Sequence, residues 1–278
     1  MRLFFSLKWT WRKKLWAVAW AGMLLTAVAC ATVPITERRA IHLVSDHEMT
    51  ALSLQEYSKV LQQSKLSHNA AEVQMVRNVG SRIAKATEDL LREKGMTEDL
   101  QNYKWEFNLI DDPKTVNAWC MPGGKVAVYT GILPVTRDET GLAVVMGHEI
   151  AHAVAKHGNE RMSQGLLAEM GGVALSVALS TQAAATSDLF LSAYGLGTQV
   201  GVLLPYSRVQ ESEADKIGLA LMARAGYDPR QAVPFWKRMN ESGGSRPPEF
   251  LSTHPAPETR IREIEAFLPE AMKYYRGN

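Results

Sequence analysis

Residues 144–154 read Val144-Val145-Met146-Gly147-His148-Glu149-Ile150-Ala151-His152-Ala153-Val154. Apolar residues run through Leu142, Val145, Ile150 and Val154, at steps of three, five and four that fit an apolar helix. On such a helix His148 and His152 stand at i and i+4 on one face, so both imidazoles can reach one metal ion with Glu149 beside it. The apolar neighbours argue against two histidines that are merely solvated. Thr136 followed by Glu139 is a capping-box signal that opens this helix, which runs towards Gly158.

A zinc site that does chemistry takes three protein ligands and keeps a fourth position for water, and a carboxylate from a second helix is one standard third ligand. Glu211 is the candidate. It lies in Ser207-Arg208-Val209-Gln210-Glu211-Ser212-Glu213-Ala214-Asp215, the start of a helix predicted to reach about Ala225 before Gly226 ends it. Glu211 and Asp215 share a face, whereas Glu213, about 200° around the helix from Glu211, points elsewhere. Asp215 is then placed to accept a hydrogen bond from the non-ligating nitrogen of a zinc-bound histidine. With one Zn2+ per chain held by His148, His152 and Glu211, Glu149 is the general base that takes a proton from the attacking water.

Three further residues bear on this site. His254, beside Pro255 and after the Gly/Ser/Pro-rich stretch 241–248, sits on an irregular segment able to approach the metal. It has three open roles: a donor to the developing oxyanion, an occupant of the fourth zinc position that holds the site latent, or a packing residue. With no dedicated inhibitory segment beyond this loop, the oxyanion role is the expectation. Arg208 is a candidate to neutralise the acids of the site or to contact substrate. His157 is expected to satisfy carbonyls at the end of the His148–His152 helix.

Outward from these motifs, the spacing of Val73, Val76, Val79, Ile83 and Leu90 predicts an amphipathic helix over about 70–94, after another over about 48–67. Residues 105–110, 115–120 and 125–129 read as strands, the last two joined by a turn at Pro122-Gly123-Gly124. Residues 171–186 and 189–204, rich in small and apolar residues, suggest a helical hairpin. Asp228-Pro229 starts a helix to about Asn240, and a final helix spans about 257–274. The expected fold is α+β and mainly helical: a zincin-like catalytic domain over residues 48–278 with a small three-stranded sheet.

These elements resemble a known family, the HtpX-like and CAAX-prenyl-endopeptidase-like gluzincin metallopeptidases, which include small bacterial envelope lipoproteins. The resemblance rests on Asn117-Ala118-Trp119 with Pro122-Gly123-Gly124, Tyr129-Thr130-Gly131-Ile132-Leu133, His148–His152, Ser207–Asp215 with Gly218, and His254-Pro255 before Arg260-Ile261. It implies proteolysis of envelope proteins, misfolded or unassembled ones among them, by a zinc endopeptidase. In that setting Asn117 and Ala118, in an edge strand beside the cleft, would hold substrate backbone by strand addition. The alternative is a non-proteolytic chaperone or assembly factor that keeps the fold. Intact Glu149 discriminates against it, since a scaffold needs the ligands but not the base.

The N-terminus reads as an address. Arg2, Lys8, Arg12, Lys13 and Lys14 precede an apolar run from Leu15 to Ala29, and Ala27-Val28-Ala29-Cys30 resembles the lipobox of bacterial lipoproteins. The run is shorter than the ~20 residues that span a bilayer comfortably, which favours lipidation of Cys30 over an uncleaved anchor. Ala31 after Cys30 resembles an outer-membrane sorting signal, so the expected location is the envelope of a Gram-negative bacterium, lipid-anchored to the outer membrane, with residues 30–47 as a tether. Lipidation of Cys30 leaves Cys120 alone, excluding an intramolecular disulfide. The whole chain has 31 basic and 29 acidic side chains, and all five basic residues before Cys30 belong to the address. Residues 30–278 therefore hold 26 basic against 29 acidic groups, a net charge of −3, which removes the electrostatic argument for nucleic acid.

Overall fold

The computed structural model describes residues 30–170, 183–194, 196, 207–242, 248–255 and 258–276. Strands β1 (Cys30–Thr32) and β2 (Arg39–Ile41) pair antiparallel in a short hairpin. The stretch expected as a tether is thus folded. Val33, Ala40 and Val44 are buried, the Leu43 amide donates to Ser163 Oγ at 2.9 Å, and Asn159 Nδ2 donates to the Val44 carbonyl at 2.7 Å. Residues 33–44 therefore form a strap over the helical body of the protein.

Helix α1 (Asp46–Gln63) opens with a Ser45/Glu48 capping box, and α2 (Ala70–Glu93) is capped by Asn69. The buried residues of α2, Val76, Val79, Ile83, Ala86 and Leu90, follow the expected stripe. After the short helix α3 (Thr97–Leu100), strands β3 (Glu106–Ile110), β4 (Ala118–Met121) and β5 (Lys125–Tyr129) form the three-stranded sheet in the order β3-β5-β4. β3 runs parallel to β5 and β4 antiparallel to it, with Ala118 opposite Val128 and Met121 opposite Lys125. The β4–β5 turn needs Gly123 and Gly124, whose φ angles of 77° and 76° disfavour any other residue. β4 lies at the sheet edge, and Cys120 points into the core, where burial pushes its thiol well up.

Helix α4 (Leu133–Thr136) is one turn, and Thr136 Oγ1 donates back to Leu133 rather than capping the next helix. The cap of α5 (Glu139–Val154) is Asp138, which accepts from the Gly141 amide at 2.8 Å. Every residue of α5 from Gly141 to Val154 is buried, as befits a helix apolar on all sides at the centre of the molecule. It ends earlier than Gly158, because the chain bends at Lys156, whose φ is 55°. Lys156 Nζ is tied to Asp46 at 2.7 Å and Asp99 at 2.8 Å, which holds the bend. Helix α6 (His157–Met170) starts immediately after it, and α7 (Ala183–Ala193) runs unbroken through residues 187–188, where the expected hairpin would turn; the rest of that hairpin lies outside the described residues.

Helix α8 (Arg208–Arg224) opens with a Ser207/Gln210 capping box. It is followed by α9 (Ala232–Ser242), α10 (Glu249–Thr253) and α11 (Glu258–Ala271). Among the described residues no helix is long and apolar enough to cross a membrane. α5 packs on α8, α2 and β4. The α5–α8 crossing is the tightest: a Cβ on Gly218 would stand 2.9 Å from the His148 nitrogen, and one on Gly147 would stand 3.0 Å from the Gly218 carbonyl oxygen. Two glycines face to face let the backbones approach until side chains from both helices reach a common point.

Candidate metal centre

At that crossing α5 brings His148, Glu149 and His152, α8 brings Glu211 and Asp215, and the end of α10 brings His254; all six are buried. One ligand atom each from His148, His152, Glu211 and His254 lies within 4.8 Å of the others. His148 Nε2 and His152 Nε2 are 3.0 Å apart, and Glu211 reaches them with Oε2 at 3.5 Å and Oε1 at 3.3 Å. Ligand atoms around a tetrahedral zinc with arms of 2.0–2.2 Å stand roughly 3.3–3.5 Å from one another, close to these separations. Two imidazole nitrogens can face each other so closely only with a cation, a proton or a metal, between them. The outer nitrogens of both rings are engaged elsewhere: His148 Nδ1 is 3.1 Å from Asp215 Oδ1, and His152 Nδ1 is 2.8 Å from His157 Nδ1. Each ring therefore turns Nε2 to the cluster, and Glu149 Oε1 is buried with no hydrogen-bond partner. The residues fit a divalent metal.

The electrostatics agree. Burial opposes a charged His148, but hydrogen bonds to Asp215 and Glu211 outweigh it and push its pKa up to about 9. Burial likewise works against the Glu211 carboxylate, yet neighbouring His254, Arg260 and the imidazoles hold it well below the usual range. A site that draws a proton onto a buried histidine will draw a metal cation more strongly. Glu149, in contrast, is pushed up to about 8, chiefly by burial.

His254 does not stand at an oxyanion position. Its Nδ1 lies 2.9 Å from Glu211 Oε1 and 3.2 Å from His148 Nε2, among the ligand atoms, and its Nε2 is 3.6 Å from Glu149 Oε1. Arg208 also departs from expectation: it lies exposed in the first turn of α8. The acids it was expected to neutralise are already bonded to Arg260 of α11. Arg260 binds Asp215 through Nε at 2.7 Å and Nη2 at 2.8 Å, reaches Glu211 Oε2 through Nη1 at 2.7 Å, and stacks its guanidinium 3.8 Å from the centre of the Trp236 ring. Sequence reasoning placed Arg260 only within the family resemblance and gave it no role. The available signal was a pair of acids on one face of a buried helix whose nearest base on that face, Arg208, stands in the first turn, which leaves Asp215 calling for a cation from elsewhere.

His157 does not close α5. It opens α6 beyond the bend at Lys156, with its ring against His152. Glu213 is turned away from the cluster as the spacing requires, yet it is buried and bonded to His157. Asn117 and Ala118 are buried rather than presented at an open edge. Asn117 Oδ1 accepts from the Ala118 amide at 2.9 Å, Asn117 Nδ2 donates to Glu249 at 3.3 Å, and the Phe250 amide donates to the Val116 carbonyl at 3.1 Å, so α10 covers this end of the strand. Cys30 opens β1 with its backbone opposite Ile41, and the residues carrying the expected export signal lie outside the described ones.

Metal-ligating residue types brought together from an H-E-x-x-H helix and a glutamate of a second helix are the arrangement of a zincin-like protein of the gluzincin type. Residues 78–268 match peptidase family M48, and the chain belongs to that family. Mitochondrial metalloendopeptidase OMA1 of Schizosaccharomyces pombe is 45% identical over 175 residues, 62% of this chain and 49% of its own length. Metalloendopeptidase OMA1, mitochondrial, of Bos taurus is 32% identical over 249 residues, 86% of this chain and 46% of its own length. The beta-barrel assembly-enhancing protease of Yersinia pestis is 31% identical over 164 residues, 57% of this chain and 33% of its own length. The chain thus spans about half the length, or less, of these relatives. The HtpX-like and CAAX-type affiliation gives way to OMA1 similarity. The expected Gram-negative outer-membrane address is overturned as well, since the OMA1 relatives from fungi, plants and animals carry mitochondrial names.

Proposed function

We propose that this chain is a zinc-dependent endopeptidase acting on polypeptides. The observation that carries the reading is the convergence of His148 Nε2, His152 Nε2 and Glu211 beside a buried carboxylate, Glu149, with an unsatisfied oxygen. Two imidazoles and one carboxylate are a standard donor set for catalytic zinc. Bound zinc supplies Lewis acidity to the scissile carbonyl and lowers the pKa of a water to near 7. Glu149, whose raised pKa suits a base near neutral pH, accepts the proton of the attacking water and returns it to the leaving amine. Asp215 and Arg260 fix His148 and Glu211 from behind.

His254 occupies the place that water needs, so it acts as a latch whose withdrawal, with α10, opens the centre. The same movement uncovers the β4 edge: the Phe250 amide now meets the Val116 carbonyl as a substrate amide would, and substrate backbone would pair alongside Asn117 and Ala118. The test is Glu149→Gln in protein of verified zinc content. The amide keeps the shape but cannot take a proton, so cleavage of an unfolded polypeptide such as casein should fall by at least about a hundredfold with zinc retained. Near wild-type cleavage by that variant would show the mechanism to be wrong.

A further inference from the structure

A metal-bound histidine holds its orientation through its outer nitrogen. For His148 a carboxylate serves, but for His152 the partner is another ring, that of His157, at 2.8 Å between the Nδ1 atoms. His157 is fully buried, and its Nε2 lies 3.2 Å from Glu213 Oε2. An ionised carboxylate only accepts, so the His157 proton is on Nε2 and its Nδ1 presents a lone pair. His152 then donates from Nδ1, which leaves the lone pair of its Nε2 directed at Glu211 and His148. Glu213 is held in turn by the strap: Thr36 Oγ1 donates at 2.6 Å and Arg38 Nε at 2.7 Å. Arg38 also grips Glu160 with both terminal nitrogens at 2.8 Å.

We propose that His157 and Glu213 are positioning residues for the metal ligand His152, and that Thr36 and Arg38 make the N-terminal strap a part of the metal centre's support. This rests on the reading of His148, His152 and Glu211 as zinc ligands. The chain of hydrogen bonds fixes the tautomer of His152, so loss of the acceptor at His157 weakens zinc binding whatever happens to hydrolysis. A packing role makes the opposite prediction for substitutions at this buried site, where leucine suits better than asparagine. The substitution His157→Asn keeps an acceptor oxygen close to the place of the imidazole Nδ1 and therefore serves as the conservative rescue.

The experiment measures the zinc dissociation constant of the full chain by competition with a chromogenic chelator, together with the absorption spectrum of the cobalt(II)-loaded protein. His157→Leu should bind zinc about ten- to a hundredfold more weakly and shift the cobalt bands, while His157→Asn recovers most of the affinity. Glu213→Ala should fall in the same range, and Glu160→Gln, which weakens the other anchor of Arg38 but leaves the bonds of Thr36 and Arg38 to Glu213, should remain within about twofold of wild type. Equal affinities for His157→Leu and wild type, or weaker binding by His157→Asn than by His157→Leu, would overturn the proposal. Should His157→Leu fail to fold, the comparison of Glu213→Ala with Glu160→Gln decides, equal losses showing a merely structural strap. His152→Ala is measured alongside: undiminished zinc binding there would refute the ligand assignment itself and leave a different signature from failure of the residues behind it.

Discussion

Gly218→Ala places a methyl group where the two site helices are closest. The added Cβ would stand 2.9 Å from the His148 nitrogen and 3.0 Å from the Gly147 carbonyl oxygen, where relaxed contact takes about 3.5 Å. The atoms it meets are helical backbone, which cannot swing aside, so α8 must retreat from α5 by about 0.5 Å. Overpacking of this kind costs about 1–3 kcal/mol, and in a domain of this size each kcal/mol lowers the melting temperature by about 2–4 °C. The retreat also carries Glu211 and Asp215 away from His148 and His152. Because a site of this type works only when held to about 0.5 Å, zinc affinity should fall by roughly tenfold or more. Thermal unfolding with and without zinc separates the two effects: the metal-free protein should melt lower, and the rise on adding zinc should shrink, since ligand stabilisation follows affinity. An unchanged melting temperature of the metal-free variant together with zinc affinity within about twofold of wild type would refute the argument that this crossing sets the site geometry.

Other consequences are open to simpler measurements. His254→Ala should raise basal cleavage at saturating zinc, because it vacates the position of the attacking water; a fall of roughly a hundredfold would instead restore the oxyanion role. His42 Nε2 is buried without a hydrogen-bond partner, and burial pushes the ring down to about 4 from the usual 6.5. The folded state then binds fewer protons than the unfolded one between those values, so stability is lost as pH falls through that window. His42→Gln should flatten that part of the stability curve, and an unchanged slope in denaturant titrations at pH 6.5, 5.5 and 4.5 would count against it.

Much of the site is legible in the sequence wherever its parts lie within two helical turns of each other. His148, Glu149 and His152 announce themselves by spacing alone, and Glu211 with Asp215 by sharing one face of a predicted helix. The parts that are not legible are joined across the fold. Arg260 meets Asp215 from 45 positions away, and Arg38 meets Glu213 from 175. Periodicity carries no information at such separations, so it points to Arg208, the basic residue nearest in sequence. His157 misleads for a local reason: the apolar spacing carries helix α5 on to Gly158, and the positive φ at Lys156 has no glycine to signal it. The strap reads as a tether because its apolar residues, Val33, Ile35, Ala40, Ile41, Leu43 and Val44, keep no single helical or strand period along its length, although Val33, Ala40 and Val44 are buried.

The buried charges around the crossing give a last argument. Among the described residues there, Glu149, Glu160, Glu211, Glu213 and Asp215 are buried carboxylates, while Arg38, Arg161 and Arg260 are the guanidiniums placed among them. Five negative groups against three positive leave two charges, which is the charge of one divalent cation; isolated charges in such surroundings are too costly to stand unbalanced. Without metal, protons fill the same need, and His148 at about 9 and Glu149 at about 8 are the groups that take them up near pH 7. Zinc binding must displace those protons, so about two should be released per metal at pH 7, with release declining as pH rises through 8 to 9 and both groups empty in advance. Calorimetric titration of zinc into metal-free protein, in buffers of different ionisation enthalpy at pH 7.0 and 8.5, counts them directly. Release of no protons at pH 7.0, or equal release at both pH values, would mean that the carboxylates are balanced by something other than the metal and that the cluster is not its site.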